Sequence, residues 1–494
     1  MSRGHEADVV VIGGGLAGLT ACLAAEGAGA RTLLLHKGER ATALSSGLVD
    51  LLGYREMNGN TRMVTSPLEG IWALAHDQDD HPYALLGGGN AAAPKERADT
   101  ARDIVSSAIG FFRAALEAAG LRYVGDGHQN LLIATPFGTF KPTGLAPDSV
   151  AKGNLVELSG AHLLVAGIRG YAAFNPVLVA HSLAYVTAQA LGGNREYLRA
   201  TGHWLGLGDR AWALPQLASY LDTEAGYQAL EMALVTARLD TSYTHLALPC
   251  AGQERAAENL ERLETRLQAT VFEIPGLPPC PGGQRLVRAL EREAATRGVR
   301  ILPGQEVVAA DLDGDRCRSV RARSILAGYE TTFHGQAFVL CTGDVIGGGL
   351  SSTQLAIREP VFDLALSAPS GTDLEQRTTW IGDEPFPQEG HPVAAIGVAT
   401  ADGLRGVSRS HDTVENLFVA GAILAGARWS IEKDGLGIAL STGFLAGRNA
   451  AQCAIGPADR AASDRSTPEH AAPPAGTVTA GTPGSQGAQR PNGQ

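Results

Sequence analysis

The first regular pattern in the chain is an unbroken apolar run, Val9-Val10-Val11-Ile12, which predicts a buried strand. It leads directly into Gly13-Gly14-Gly15-Leu16-Ala17-Gly18, and small apolar residues continue from there as a helix towards Gly29. A second apolar run, Thr32-Leu33-Leu34-Leu35, closes a strand–helix–strand unit. Residues 54–99 carry no clear period and read as irregular. Thr100 is placed to cap a helix whose stripe is Ile104, Val105, Ala108, Phe111, Phe112, Ala115 and Leu116, ended by Gly120. Thr135 to Lys141 reads as a turn flanked by extended residues.

Strand-like and helical segments alternate again from Leu155 to Val271. The strands are near 163–165 and 246–248, and the helices cover 175–191 and 211–237. The proline-rich stretch Pro275 to Gly283 opens a helix over Gln284–Arg297, followed by strands near 299–302, 305–310 and 337–340. A last strand ends at Glu415-Asn416-Leu417-Phe418-Val419-Ala420-Gly421, and a glycine-rich helix start follows at Asp434-Gly435-Leu436-Gly437. The pattern predicts an α/β protein with a Rossmann-type FAD/NAD(P)-binding flavoprotein fold, glutathione-reductase-like or fumarate-reductase-like, carrying an inserted α/β domain. The expected parts are a nucleotide domain in two pieces, 1–154 and 275–455, and the insert at 155–274, walling the substrate side. A disordered tail is expected at 456–494, rich in Ala, Pro, Gly, Ser and Thr.

The glycines carry chemistry because of where they stand. After a strand and before a helix, the first makes the tight turn and the second lets backbone approach a pyrophosphate. The third lets helix pack on strand, and the helix N-terminus faces the anion. Gly13, Gly14, Gly15 and Gly18 are therefore expected at a cofactor. A ribose-binding carboxylate is expected about 20 residues on, but His36-Lys37 ends the second strand. Either a carboxylate comes from elsewhere or the adenosine half is changed. Ser45 and Ser46 fall just past that strand, as phosphate or flavin contacts or as a helix cap. Thr342-Gly343 and Gly421 end later strands where such a fold returns to its cofactor, and Gly435 and Gly437 begin a helix whose positive end would face the flavin pyrimidine. Ala422 stands where flavoproteins of this class often carry Asp.

Composition narrows the classes. With 44% apolar and 18% charged residues the chain is globular in type. A net charge of −11 argues against a nucleic-acid partner. The basic residues are overwhelmingly Arg, with Lys only at 37, 95, 141, 152 and 433, which reads as codon bias. Cys22, Cys250, Cys280, Cys317, Cys341 and Cys453 show no C-x-x-C spacing, so no iron–sulfur or zinc set is expected and they read as free thiols of a reducing compartment. His162, His181, His203 and His245 read as ordinary histidines, and no metal site is expected. No apolar run reaches the ~18 residues of a membrane span, and no signal peptide precedes the first strand.

With these signals in place the chain resembles the B-subunit family of anaerobic glycerol-3-phosphate dehydrogenase, from Val9 to about Ala451. The telling runs are Gly13 to Gly18, Ser45-Ser46-Gly47, His81-Pro82-Tyr83 and Thr135-Pro136-Phe137-Gly138-Thr139, then Gly347-Gly348-Gly349-Leu350, Ile357-Arg358-Glu359-Pro360 and Glu415 to Gly421. The resemblance implies an FMN-containing polypeptide, FAD being the alternative. It would pair with an FAD-containing catalytic partner (the A subunit) and a membrane-associated iron–sulfur partner (the C subunit), in the cytoplasm and peripheral to the inner membrane. Such a complex oxidises sn-glycerol 3-phosphate to dihydroxyacetone phosphate and passes electrons to menaquinone, ending on fumarate or nitrate. Hydride transfer on this chain and electron relay through it both fit. Arg358 is read as an anion contact near the flavin or as a structural ion pair with Glu359 or another carboxylate. A stand-alone flavin dehydrogenase and a scaffold without flavin are the competing readings.

Overall fold

Five parallel strands carry the nucleotide half, and each is there for the reason its sequence gives. Glu6–Ile12 is flanked on one side by Thr32–His36 and then Arg300–Pro303. On its other side stand Glu330–Leu340 and then Thr413–Val419. Numbered along the chain, the five fall in the order 3-2-1-4-5, the arrangement in which the switch of direction opens a crevice at the strand carboxyl ends. Val9, Val10, Val11, Leu33, Leu34 and Leu35 are wholly buried, as strands covered on both faces require. The helix Leu16–Gly27 is apolar all round and buried from Leu16 to Ala25, so it is a core helix with no solvent face to speak of.

The computed structural model describes residues 5–463 except 39, 58, 195, 238–242 and 386, with side chains to residue 456. Most of the expected tail, 464–494, lies outside the described residues. Residues 1–455 form one unit, and the last helix, Gly435–Ser463, loses helical geometry at Gly456.

An antiparallel layer is added to the parallel sheet. Gln305–Asp313 pairs with Arg316–Ser324, which pairs in turn with the start of Glu330–Leu340. Buried Asn416 pins this layer to the last parallel strand: it accepts from Cys317 N–H and donates to the carbonyls of Cys317 and Gln336. A second, four-stranded parallel sheet has the order Leu198–Leu205, Ala161–Ile168, His245–Leu248, Thr270–Glu273. It has its own core, centred on Leu163, Val165, Phe174, Leu217, Ala247 and Phe272.

Residues 54–99 are more ordered than their pattern predicts. They form the hairpin Tyr54–Met57/Asn60–Met63 and the helices Pro67–Asp77 and Pro82–Leu86. The first of these helices is capped by Ser66 and opened by Pro67. The helix expected from Thr100 starts earlier and spans Pro94–Ala118, again with proline in its first turn. Phe112 is buried edge-on to Tyr123 as part of the core. Among the described residues no helix is long and apolar enough to cross a membrane.

Candidate functional site

The crevice is a cavity of about 570 Å³, and most of the residues expected at a cofactor line it. Gly13, Gly14 and Gly15 form one wall with His36 and Lys37 beyond them. Ser45 and Ser46 lie on the loop above, and Thr342, Gly343, Gly421 and Gly435 close the far sides. Gly18 and Gly437 are not in the lining. Gly18 acts one step back: a Cβ there would stand 1.8 Å from the carbonyl oxygen of Gly13. Gly13 itself has φ +110°, and its Cβ would meet the Cys341 carbonyl oxygen at 2.2 Å. The turn is thus made of backbone packed on backbone. Gly437 is pressed against Tyr83, Leu51 and Asp50, so it seats the last helix on its neighbours and leaves the cofactor face to Gly435.

Arg358 does not belong to this constellation. It is exposed on the short strand Ile357–Arg358 and is outside the lining, whereas Pro360 and Val361 are in it. The ion pair with Glu359 does not form either, because the buried Glu359 carboxylate accepts backbone N–H groups of Val361 and Phe362 at 2.8 and 2.7 Å. The lining also contains no described residue of 155–274, so the second sheet does not wall the cavity. Asp50, Lys141 and Lys433 are among the residues that do line it.

At the end of the second strand, His36 is buried and neutral. Its Nδ1 lies 3.2 Å from the Gly38 carbonyl and must donate, so Nε2 accepts from the Arg40 guanidinium at 2.9 Å. Burial, then the Arg40 charge, hold the ring below the usual imidazole range. Arg40 is paired with Glu291 as well. Ser45 is used partly by its own turn, donating to the Thr42 carbonyl and accepting from Gly47 N–H. Thr42 in turn accepts from Leu16 N–H at the start of the first helix, which has no side-chain cap. Five lining residues carry buried polar atoms with no hydrogen-bond partner among the described residues: Arg40 Nε, Gln305 Oε1, Thr342 Oγ1, Trp429 Nε1 and Asp434 Oδ1. Buried polar groups are normally satisfied. These donors and acceptors, beside a cradle that no side chain fills, fit a polar ligand along the crevice.

A buried triad adjoins the cavity that the sequence pattern did not reveal. His81 Nε2 is 3.3 Å from Glu432 Oε2 and 3.5 Å from Asp434 Oδ2, all three side chains being essentially sealed from solvent. Burial opposes a charge on His81, while hydrogen bonding to Asp434 and Glu432 and their charges favour one. Its Nδ1, however, accepts the Tyr83 N–H at 3.1 Å as a helix cap. A proton there would set N–H against N–H, so the ring keeps its single proton on Nε2. Burial, opposed by the hydrogen bond from His81, raises the Asp434 carboxyl. These three groups lie within 4.8 Å of one another, close enough for a metal ion. A ligating histidine, though, donates its other ring N–H outward; here that nitrogen is an acceptor and the metal-facing one holds the proton. The geometry is that of a proton-holding cluster.

Against this geometry the comparisons are consistent. The family model described as FAD binding domain matches residues 8–438. A probable B subunit of anaerobic glycerol-3-phosphate dehydrogenase from Halobacterium salinarum is 32% identical over 463 residues, covering 90% of this chain and 98% of that one. The B subunit of the Vibrio cholerae anaerobic glycerol-3-phosphate dehydrogenase is 28% identical over 453 residues, covering 89% and 95%. Among solved structures, a flavocytochrome c3 fumarate reductase aligns over 92% of this chain and 80% of its own at 10% identity, with a TM-score of 0.42. The expectation of FMN gains no support. The matching model is one for FAD, and the cavity lining continues past His36 and Lys37 to Gln305, Glu306 and Val307. A flavin is the cofactor this site is built for. The chain belongs to the FAD-binding-domain proteins and, within them, to the B-subunit family of anaerobic glycerol-3-phosphate dehydrogenase.

Proposed function

We propose that the chain is the FAD-binding subunit of a quinone-linked glycerol-3-phosphate dehydrogenase, oxidising sn-glycerol 3-phosphate to dihydroxyacetone phosphate within a multi-subunit complex. The observation that carries the reading is the one continuous cavity, with the glycine cradle at its middle and unpartnered polar atoms along it. In this reading Gly14, Gly15 and the start of the Leu16–Gly27 helix, where Gly15 offers no side-chain cap, hold the pyrophosphate, with Arg40 Nε turned to the same charge. Lys37 and Glu306, 3.9 Å apart on the cavity rim, take the ribose, Glu306 replacing the carboxylate missing at His36. Ser45, Ser46, Thr342, Gly421 and Gly435 face the ring system, and the helix beginning at Gly435 offers it a positive end. Bound there, the flavin would supply the two-electron acceptor. The chain's own part is to orient the substrate, keep water out and hold its proton.

Electrons then leave through partners. Among the described residues no cysteine belongs to a metal-ligand grouping, and the relatives' names are those of one component in a larger complex. An FAD-containing catalytic partner, a membrane-associated iron–sulfur partner and menaquinone are what this reading requires, with 155–274 as a separate inserted α/β domain remote from the chemistry.

The test is chromatography of the cofactor released from purified chain. FAD is expected in close to one equivalent. Released FMN would overturn the assignment of Glu306, and a colourless chain that takes up neither flavin would overturn the redox reading altogether.

A further inference from the structure

Of the five lysines in this arginine-rich chain, three line the cavity described above: Lys37, Lys141 and Lys433. A lysine is a compact point charge with rotatable donors, and an arginine is a planar fork, so the two are not interchangeable at a site. Two of the three, Lys141 and Lys433, come together at the end opposite Lys37. Lys141 stands on the hairpin strand Phe140–Thr143, and its Nζ is 2.5 Å from Asp50 Oδ2. Thr143 donates to the other Asp50 oxygen. Lys433 sits immediately before the last helix with φ +53°, an unusual backbone for a residue with a side chain, and its Nζ donates to the Ser430 carbonyl at 2.6 Å. Asp50 is tied to the same helix start, its carbonyl accepting Gly437 N–H at 2.9 Å.

Three separate elements thus bring two ammonium groups and one carboxylate to a half-buried wall. Burial first, then the Lys141 charge, depress the Lys433 ammonium, so the two cations feel one another. Burial raises Asp50, and the two lysines and Thr143 oppose it. The charges of Asp50 and Asp434 oppose that depression, while Glu432 and Asp434 are also engaged by His81, and Glu432 lies near Arg428. The wall carries two ammonium groups beside a helix N-terminus, donors that favour an anion. A carboxylate beside it offers an acceptor for a hydroxyl.

We propose that Lys141 and Lys433 form the subsite for the phosphate of a phosphorylated alcohol, and that Asp50 accepts the hydrogen bond of its hydroxyl. The proposal rests on the dehydrogenase reading for the presence of such a substrate, and it names the residues that select it.

Calorimetric titration of the flavin-loaded chain with inorganic phosphate, sn-glycerol 3-phosphate and glycerol tests it without turnover. The unaltered chain should bind the first two far more tightly than glycerol. Lys433→Met and the double variant Asp50→Asn/Lys141→Met, which removes the ion pair as a unit, should each weaken phosphate by at least about tenfold with flavin content unchanged. Asp50→Asn alone should weaken glycerol 3-phosphate and leave phosphate nearly as it was. Lys95→Met, on an outer helix beside Asp99, should change nothing. Phosphate bound equally by the lysine variants and the unaltered chain would overturn the subsite, whatever the turnover of the complex. Lysine-dependent phosphate binding in a complex that never oxidises glycerol 3-phosphate would support the subsite and sink the dehydrogenase reading instead.

Discussion

Gly18→Ala is expected to give a chain that purifies with little or no flavin. The added Cβ would lie 1.8 Å from the Gly13 carbonyl oxygen and 3.0 Å from its carbon, with Val11 Cγ1 behind at 3.5 Å. Neither side can yield, because Gly13 is pressed on the Cys341 carbonyl and the first helix is buried in the core. Overpacking of this kind costs about 1–3 kcal/mol and occasionally more. If that falls on the cradle alone, cofactor affinity drops by about 10–100-fold. Gly27 lies in the same helix with nothing within 4 Å of a Cβ. Gly27→Ala should therefore be neutral or stabilising by up to about 1 kcal/mol, through the higher helix propensity of alanine. Flavin content by absorbance and the melting temperature decide between the two. Equal flavin in both variants would mean that the Gly13–Gly18 contact does not limit the cradle.

Arg285→Met is expected to be the most destabilising single change away from the cofactor. Arg285, on the helix Pro281–Thr296, makes a two-pronged contact with Glu273 at 2.7 and 2.8 Å. Glu273 ends the edge strand Thr270–Glu273 of the second sheet and also accepts Ala251 N–H at 2.8 Å. Both side chains are buried, so losing the cation leaves a carboxylate sealed off without its counter-charge, at a cost of about 3–5 kcal/mol. Arg285→Met/Glu273→Gln should regain much of that. The pH dependence carries the sign. Burial raises Glu273, but the Arg285 charge and hydrogen bonds overcome it and hold the carboxyl below its ordinary 4.5. Its stabilisation is complete above 4.5 and is lost as pH falls through the lower folded value. In Arg285→Met only the Ser149 and Ala251 hydrogen bonds oppose the larger effect of burial, so the folded value should move above 4.5 and this group's contribution should rise on acidification from neutral pH. Denaturant midpoints at pH 7 and 5 test it; parallel pH profiles for the two proteins would refute the pairing.

The His81–Glu432–Asp434 cluster is a second buried charged grouping, with Arg428 beside Glu432. Tyr83 N–H engages one ring nitrogen and leaves the other to face the two carboxylates. Lysine placement is a similar case. An arginine preference across the whole chain says nothing about a site, yet three of the few lysines share one cavity once the chain is folded.

What the sequence by itself determined is the part whose physics is local. Val9 to Leu35 carries strand, turn, helix and strand in unbroken order, and glycines at 13 and 18 have one reason to stand there, so the cradle and the flavoprotein fold class could be read directly. The turn at Thr135 to Lys141 was legible for the same reason, between the hairpin strands Leu131–Ala134 and Phe140–Thr143. Residues 54–99 escaped because their short elements are held by caps and by packing against the Pro94–Ala118 helix, with little periodicity of their own. Only the tertiary structure decided which charged residues meet. It brought Glu306 to the rim where His36 had left no carboxylate, and joined Lys141 to Asp50 and Lys433. It set His81 against Asp434 and left Arg358 outside. An ionic contact depends on distance through space, and residues hundreds of positions apart acquire one only when strands and helices have set their register.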